Sequence, residues 1–385
     1  MKVFHFSETP YPHIDQAYKD GFKMVRVGLP NCYYDPVKGR DVYRERLDDW
    51  CLADELGLEI VMNEHHQTPT CTVPAVPIMA GILARQTKRA RLLVLGNPIA
   101  HRRQPLRVAE EMAMVDVISG GRLECGFVRG VPFENQAINS NAMKMDERFW
   151  EAHDLILKAW TPHDTPSNWE GRHFHHRMVN IWPRPYQTPH PPIWITTSTP
   201  ATAERLGRLG YVMATFLTGF AGAKAVFEAY RKGWRETRGT EAPLDRFGFL
   251  GFGYTADTEE EARIGGQKLT WYLTSGQTVN YFPAPGYLSA AAVVAARKES
   301  GPRMAPTTRP DVDTQLEVGN MFIGTPDTVY RRIKEFHERV GGLGNLLLMG
   351  HAGPMGSAEV QKSMTLFARE VLPRLGELDR VPADA

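Results

Sequence analysis

The sequence has few cysteines, almost no net charge and no long apolar run, and each absence excludes a class of protein. The four cysteines are scattered without metal-ligand spacing, which disfavours a disulfide scaffold and predicts reduced thiols. A formal net charge of +1 lacks the concentrated basic surface of a nucleic-acid-binding protein. No stretch approaches the ~20 apolar residues of a membrane helix, and the N-terminal residues lack a signal peptide's apolar region. We therefore expect a cytoplasmic protein that binds neither nucleic acid nor membranes.

Short apolar runs alternate with amphipathic helical patterns along most of the 385 residues. This alternation predicts repeated βα units and a parallel sheet of the α/β class. Eight runs are predicted strands: 2–6, 58–62, 91–96, 122–128, 192–198, 211–215, 245–257 and 345–350. We predict a single (β/α)8 TIM barrel domain over residues 1–385, in which catalytic groups lie at the carboxyl ends of the strands.

Two segments depart from simple βα units. Residues 168–192 combine aromatic alternation with prolines, which predicts an extended hairpin. Residues 265–320 are too long for one connection and are predicted to form an insertion after strand seven. With Tyr281, Phe282 and Tyr287 this insertion is a possible lid that excludes water, and a plain surface loop is the alternative.

The second predicted strand ends in "NEHHQ", where an apolar run stops at Glu64, His65 and His66. A metal site needs three or four convergent ligands, and adjacent histidines in an extended chain point in opposite directions. We therefore expect no metal here. An acid/base site and a polar strand end that meets water both remain open.

Two further strand ends suit an anion. Arg129 lies beside Gly130 after strand four, where a guanidinium could be presented to a phosphate. Strand five runs into Ser198, Thr199 and Thr202 at a helix start, where free backbone N–H groups favour a phosphate. The alternative for this hydroxyl run is simple N-capping of the helix.

Together these motifs resemble the bacterial luciferase-like flavin-dependent monooxygenases. The resemblance is carried by "NEHHQ", "HRRQPLRVAEEMAMVDVISGGRLECGFVRG", "WPRPYQTPHPPIWI" and "LFAREVLPRL". It implies a barrel of the luciferase type that holds FMN at its mouth. It further implies that reduced FMN (FMNH2) comes from a separate NAD(P)H:flavin reductase and forms a C4a-peroxyflavin with O2, which oxygenates a small organic substrate.

The resemblance also implies roles for individual residues. His65 is similar to the family's active-site histidine beside the flavin. The preceding residue, Glu64, is expected to contact the cofactor. Arg129 resembles the arginine that binds the cofactor phosphate, and Asn97 is expected to contact the ring. Asn97–Pro98 is our candidate for a cis peptide, because a cis bond costs far less before proline.

The phosphate loop implied by the resemblance comprises Ser198 and Thr199, mainly through backbone N–H groups, and Thr202 through its hydroxyl. Val128 stands where luciferase carries a reactive cysteine, which argues against light emission and a long-chain aldehyde substrate. Two other functions remain open: an F420-dependent oxidoreductase of the same fold, and a flavin-binding protein without catalysis. Because dimers are common in this family, we expect a homodimer.

Overall fold

Eight parallel strands close into a barrel in the computed structural model, which describes residues 1–23, 25–161, 164–275 and 310–379. All eight predicted runs form these strands: β1 (Lys2–Ser7), β2 (Glu59–Met62), β3 (Leu92–Pro98), β4 (Leu123–Val128), β7 (Ile193–Thr196), β8 (Val212–Phe216), β9 (Phe247–Thr255) and β11 (Asn345–His351). They pair in the order β11–β1–β2–β3–β4–β7–β8–β9. Because β9 pairs with both β8 and β11, the ring is closed, and the predicted α/β barrel is confirmed.

Three short strands complete the sheets. The predicted hairpin is present as an antiparallel ribbon of β5 (Ser167–Glu170) and β6 (His175–Val179). The sequence analysis missed β10 (Met321–Gly324), which pairs with the last four residues of β9. A four-residue strand ending in glycine gives too short an apolar pattern to distinguish it from a turn.

Helices follow most strands and cover the barrel. Their bounds are α1 (Asp15–Lys19), α2 (Pro36–Glu55), α3 (Val76–Gln86), α4 (Pro105–Ser119), α5 (Pro132–Ala137), α6 (Met145–Trp160), α7 (Pro200–Leu209), α8 (Gly219–Arg238), α9 (Glu259–Leu269), α10 (Trp271–Thr274), α11 (Val312–Glu317), α12 (Pro326–Arg339), α13 (Ser357–Glu370) and α14 (Leu372–Leu375). The N-cap of α2 is Asp35, because its carboxylate accepts a hydrogen bond from Val37 N at 2.8 Å and Pro36 fits the first turn.

The strands sort their side chains into two cores because successive residues point to opposite faces. In β3, Leu93 packs in the barrel interior, whereas Leu92 packs between strands and helices. Phe4 of β1 reaches across the barrel to Trp194 of β7, with ring centroids 5.6 Å apart. The same alternation therefore decides which side chains at a strand's carboxyl end face the barrel mouth.

Two predictions about particular segments have different outcomes. The cis peptide near the end of β3 joins Leu95 to Gly96, so the assignment of Asn97–Pro98 was wrong. Gly96 packs so closely on β4 that a Cβ there would lie 2.4 Å from Val128 Cγ1, and this packing was not readable from proline content. Tyr281, Phe282 and Tyr287 lie outside the described residues, and so does most of the predicted lid.

Among the residues that the structure describes, no helix combines the length and apolarity needed to cross a bilayer.

His5 of β1 gives the fold a testable pH dependence. Burial, together with the positive charge of Arg46, lowers its pKa from 6.5 to about 4. The unfolded chain therefore takes up this proton first, so stability is lost as pH falls from about 6.5 towards 4. We expect the difference in unfolding free energy between wild type and His5→Gln to change by on the order of 3 kcal/mol across that window.

Urea unfolding at closely spaced pH values measures this difference. The exposed His13 provides a matched control, His13→Gln, which should follow the wild-type profile. A constant offset between wild type and His5→Gln from pH 7 to pH 4 would contradict the assignment.

Candidate active site

The predicted site residues follow four consecutive strands of the ring. His65 lies beyond β2, Asn97 near the end of β3, Arg129 beyond β4, and Thr199 beyond β7. These strands are neighbours and parallel, so their carboxyl ends share one rim. Barrel closure thus places residues distant in sequence around one mouth.

Beyond β2 the chain divides its polar side chains between two directions. Asn63 donates from Nδ2 to Glu8 Oε2 at 3.0 Å, and Glu8 directly follows the end of β1. Glu64 turns instead towards the helix layer, where Val76 N at the start of α3 donates to its Oε2 at 3.1 Å. The His65 side chain therefore has a different partner from Glu64 and His66, which contact each other, although all three adjoin in sequence.

Glu64 forms a buried network of its own. Its Oε1 lies 2.6 Å from Arg102 Nη2 and 3.0 Å from His66 Nε2. The Glu64 side chain is 0% exposed, so its negative charge is neutralised by protein groups and by the positive end of α3. Glu64 thus supports the rim through Arg102 and His66.

His65 is paired with Glu134 of α5. His65 Nδ1 lies 3.0 Å from Glu134 Oε1, and the His65 side chain is 20% exposed whereas Glu134 is 1% exposed. Burial alone would lower the pKa of His65. The hydrogen bond to Glu134 and the negative charges of Glu8 and Glu134 outweigh burial and raise it, against an opposing contribution from Arg26.

A close backbone approach after β4 places α5. Gly130 has φ +85°, and a Cβ there would lie 2.0 Å from His101 Cε1. Only glycine meets both conditions at once. The chain therefore turns tightly over the His101 ring. The His101 Nε2 atom lies 2.8 Å from Asn135 Oδ1 in α5. This packing brings Glu134, on the same helix turn, beneath His65.

Asn97 carries an unused donor. Its side chain is buried, and its Oδ1 lies 3.5 Å from Arg102 Nη2. Its Nδ2 makes no hydrogen bond with any of the described residues. An unpaired buried amide N–H costs about 1–3 kcal/mol, which a bound acceptor would recover.

Arg129 and the hydroxyl loop leave adjacent strand ends. Phe127 of β4 is in register with Ile195 of β7, so Arg129 emerges level with Thr197. The Arg129 side chain is 45% exposed, and its Nη1 lies 3.2 Å from Asp146 Oδ1. The guanidinium is thus accessible at the rim.

Helix α7 begins at this loop without a side-chain cap. Its N-cap residue is Thr199, but the Thr199 hydroxyl donates to Thr202 Oγ1 at 2.9 Å and makes no capping bond. Ser198 is exposed. Simple N-capping therefore does not account for the hydroxyl run. Pro200 has no N–H group and Ala203 N donates to Thr199 O at 3.0 Å, so the N–H groups of Ala201 and Thr202 are the ones left at the start of α7 to meet an anion.

The residues that sequence reasoning missed are Glu8, His101, Arg102 and Glu134. Glu8 was detectable, because it follows an apolar strand as Glu64 does. Glu134 was not, since it lies in an unremarkable stretch and contacts His65 only through the fold.

Solved structures with the same architecture agree with this barrel. The chain superposes on the monooxygenase RslO1 from Streptomyces bottropensis with TM-score 0.76 and 24% identity, covering 97% of this chain and 100% of that one. For the oxygenating constituent of 3,6-diketocamphane monooxygenase from Pseudomonas putida, in complex with FMN, the TM-score is 0.71 at 20% identity, covering 91% and 99%. An F420-dependent secondary alcohol dehydrogenase gives 0.68 at 16% identity, covering 97% and 98%. At these identities the similarity establishes the fold alone.

Relatives by sequence include y4wF of Sinorhizobium fredii, a protein without an assigned function, 33% identical over 42% of this chain and 47% of that protein. The oxygenase component of the flavin-dependent trigonelline monooxygenase of Acinetobacter baylyi is 27% identical over 64% of this chain and 66% of that protein. The chain thus aligns with half to two thirds of the length of these two relatives. The FMNH2-dependent dimethylsulfone monooxygenase of Pseudomonas putida is 26% identical over 72% of each chain.

Residues 33–342 match the model of the family described as luciferase-like monooxygenase. This match spans most of the barrel, from the loop before α2 to the turn before β11, including the ends of β2, β3, β4 and β7. The chain belongs to the luciferase-like monooxygenase family.

Proposed function

We propose that the protein is the oxygenase of a two-component flavin-dependent monooxygenase, which uses reduced FMN and O2 to oxygenate a small organic substrate. One observation carries the proposal: a histidine, an unpaired buried amide and an uncapped helix start meet on adjacent strand ends. The relatives whose names specify flavin-dependent or FMNH2-dependent monooxygenases support the same choice.

The residues at the rim fit a phosphorylated flavin. The free N–H groups of α7 and the accessible guanidinium of Arg129 suit a phosphate dianion. Ser198 would bind it through its backbone N–H group and Thr202 through its hydroxyl, whereas the Thr199 N–H group already donates to Thr197 Oγ1 at 3.1 Å. Asn97 Nδ2 would donate to an acceptor of the flavin ring. Glu64 would act indirectly, by fixing Arg102 and His66.

The chemistry is divided between cofactor and protein. Reduced flavin, when bound, supplies the electrons that activate O2 for transfer to the substrate. The protein binds and orients, and its apolar barrel interior limits water beneath the mouth. His65, held at Nδ1 by Glu134, exchanges a proton at Nε2 with a reacting group in the mouth.

The proposal requires a partner, because no step assigned to these residues reduces the flavin. We propose that a separate NAD(P)H:flavin reductase supplies reduced FMN by diffusion. The relative named as an oxygenase component supports this division of labour.

A homodimer is part of the proposal. Met114, Val117 and Ile118 form an exposed apolar stripe on α4, with exposed fractions of 52%, 44% and 46%. Ile78 on the neighbouring helix α3 is 65% exposed. Apolar residues at i, i+3 and i+4 that do not face the chain's own core are typical of a helix that packs on a partner.

Arg129→Ala tests the phosphate site. Loss of a charge-assisted contact costs about 1.5–3 kcal/mol, so reduced FMN should bind roughly tenfold to a hundredfold more weakly. Anaerobic fluorescence titration measures the affinity, with Arg107→Ala on the exposed face of α4 as the control. Unchanged affinity would remove Arg129 from the site, and tight binding of F420 without binding of reduced FMN would replace the proposed cofactor.

His65→Ala tests the proposed catalytic role. Flavin affinity should stay within a few fold of wild type, whereas substrate oxygenation should fall by about 10²–10⁴ because a positioned acid/base group is lost. Single-turnover oxygenation with reduced FMN, over a panel of candidate substrates, measures the effect. His175→Ala, with a 64% exposed side chain on the ribbon, is the control. Normal turnover by His65→Ala would mean that His65 is only a polar strand end that meets water. Absence of O2 consumption by the wild type would favour a flavin-binding protein without catalysis.

Met114→Glu tests the dimer. A charge in the α4 stripe should shift the protein to monomers in sedimentation velocity, since burying an unpaired carboxylate is costly. Ile264→Glu, at a 50% exposed apolar residue of α9, should leave the assembly unchanged. A monomeric wild type, or a dimer that survives Met114→Glu, would be evidence against this interface.

A further inference from the structure

Glu134 is a buried carboxylate that the proposed flavin site does not use. It lies on the short helix α5, and its side chain is 1% exposed. Its Oε1 accepts a hydrogen bond from His66 N at 2.9 Å and lies 3.0 Å from His65 Nδ1. Its Oε2 accepts from Val131 N at 3.2 Å. One carboxylate thus joins the end of β2 to the chain that follows β4.

This arrangement fixes the protonation pattern of the His65 ring. An ionised carboxylate can only accept, so Nδ1 must carry the hydrogen in the bond to Glu134. Burial opposes ionisation of Glu134, but the hydrogen bond and charge of His65 and the backbone N–H groups outweigh it and lower its pKa. The Nε2 atom lies on the opposite edge of the ring and makes no hydrogen bond with the described residues. It is the atom left for chemistry.

The titratable groups around the pair come from three parts of the chain. Glu8, after β1, and Arg26, before α2, act on His65 with opposite signs. His101, after β3, has its Nδ1 3.8 Å from Glu134 Oε2, but burial lowers the pKa of His101 and favours its neutral form. Glu134 is therefore the negative group in direct contact with His65.

We propose that Glu134 is a positioning residue, which holds His65 by Nδ1 and favours its imidazolium form so that Nε2–H donates a proton at the barrel mouth. In that step the Nε2–H bond breaks, the electron pair stays on Nε2, and the proton passes to the reacting group. His65 becomes neutral and keeps Nδ1–H on Glu134, which gains no proton. The use of this proton in oxygenation rests on the proposed function, whereas the pairing itself does not.

Glu134→Gln isolates the charge from the geometry. Glutamine keeps a carbonyl oxygen that can accept from His65 Nδ1 and His66 N and loses only the bond from Val131 N, so the hold on the His65 ring would be preserved. Titration of the ligand-free protein labelled with ¹³C-histidine, with the His65 signal assigned through His65→Asn, reports the midpoint directly. We expect wild type to titrate above the usual value of about 6.5, and Glu134→Gln to shift the midpoint down by about one pH unit or more.

Two further variants make the result decisive. Glu134→Asp retains the charge and should keep the midpoint within about half a pH unit of wild type. Glu124→Gln removes another buried carboxylate, which lies within β4 and contacts Arg91, and should not move the His65 midpoint. A midpoint in Glu134→Gln equal to that of wild type would overturn the proposal. If Glu134→Gln does not fold, a wild-type midpoint at or below 6.5, or a downward shift in Glu134→Asp as large as one pH unit, would overturn it instead.

The pH dependence of oxygenation separates this inference from the proposed function. Since His65 acts in its protonated form, turnover should fall as pH rises through its pKa, and this limb should move to lower pH in Glu134→Gln. If the His65 titration midpoint shifts but the high-pH fall in turnover does not, the pairing would stand, and its use in turnover would not. A shifted midpoint without any oxygenation would sustain the pairing and count against the proposed function.

Discussion

Closure of eight parallel strands into a ring is the constraint on which the rest of the structure depends. It brings the carboxyl ends of β1, β2, β3, β4 and β7 to one rim, although they span residues 7 to 196. The strand period of two then selects which side chains at each end face the mouth. A shift of one residue in strand register would exchange the side chains that face the barrel interior with those that face the helices. The apolar packing of the interior, which fixes the register, therefore also fixes the positions of the site residues.

Buried charge at the rim is tolerated because it is paired. Glu64 and Glu134 are both almost fully buried, and each accepts hydrogen bonds from backbone N–H groups as well as from side chains. An isolated buried carboxylate would lose several kcal/mol of hydration, so these contacts are conditions for the fold as much as features of the site. Arg102 and His65 are the respective partners, and their orientations are fixed at the same time.

The sequence predicted what depends on local pattern and missed what depends on distant contacts. The eight strands and the rim position of His65 follow from apolar runs and from their polar ends. Glu134 was missed because its partner lies 69 residues away and no spacing links them. The cis bond was assigned to Asn97–Pro98 from intrinsic cost alone, whereas the fold places it at Leu95–Gly96, where β3 and β4 pack too closely for a Cβ.

The pair "HH" shows how identical side chains acquire different tasks. His66 turns to Glu64 in the helix layer, within a network already neutralised by Arg102. His65 turns to Glu134 and keeps one fifth of its surface exposed, with a second carboxylate, Glu8, acting on its charge. A histidine that is accessible, oriented and biased towards its cation can exchange a proton without losing its position. His66 is also oriented, but its Nε2 atom is already hydrogen-bonded to Glu64. Geometry, rather than residue type, therefore assigns the acid to His65.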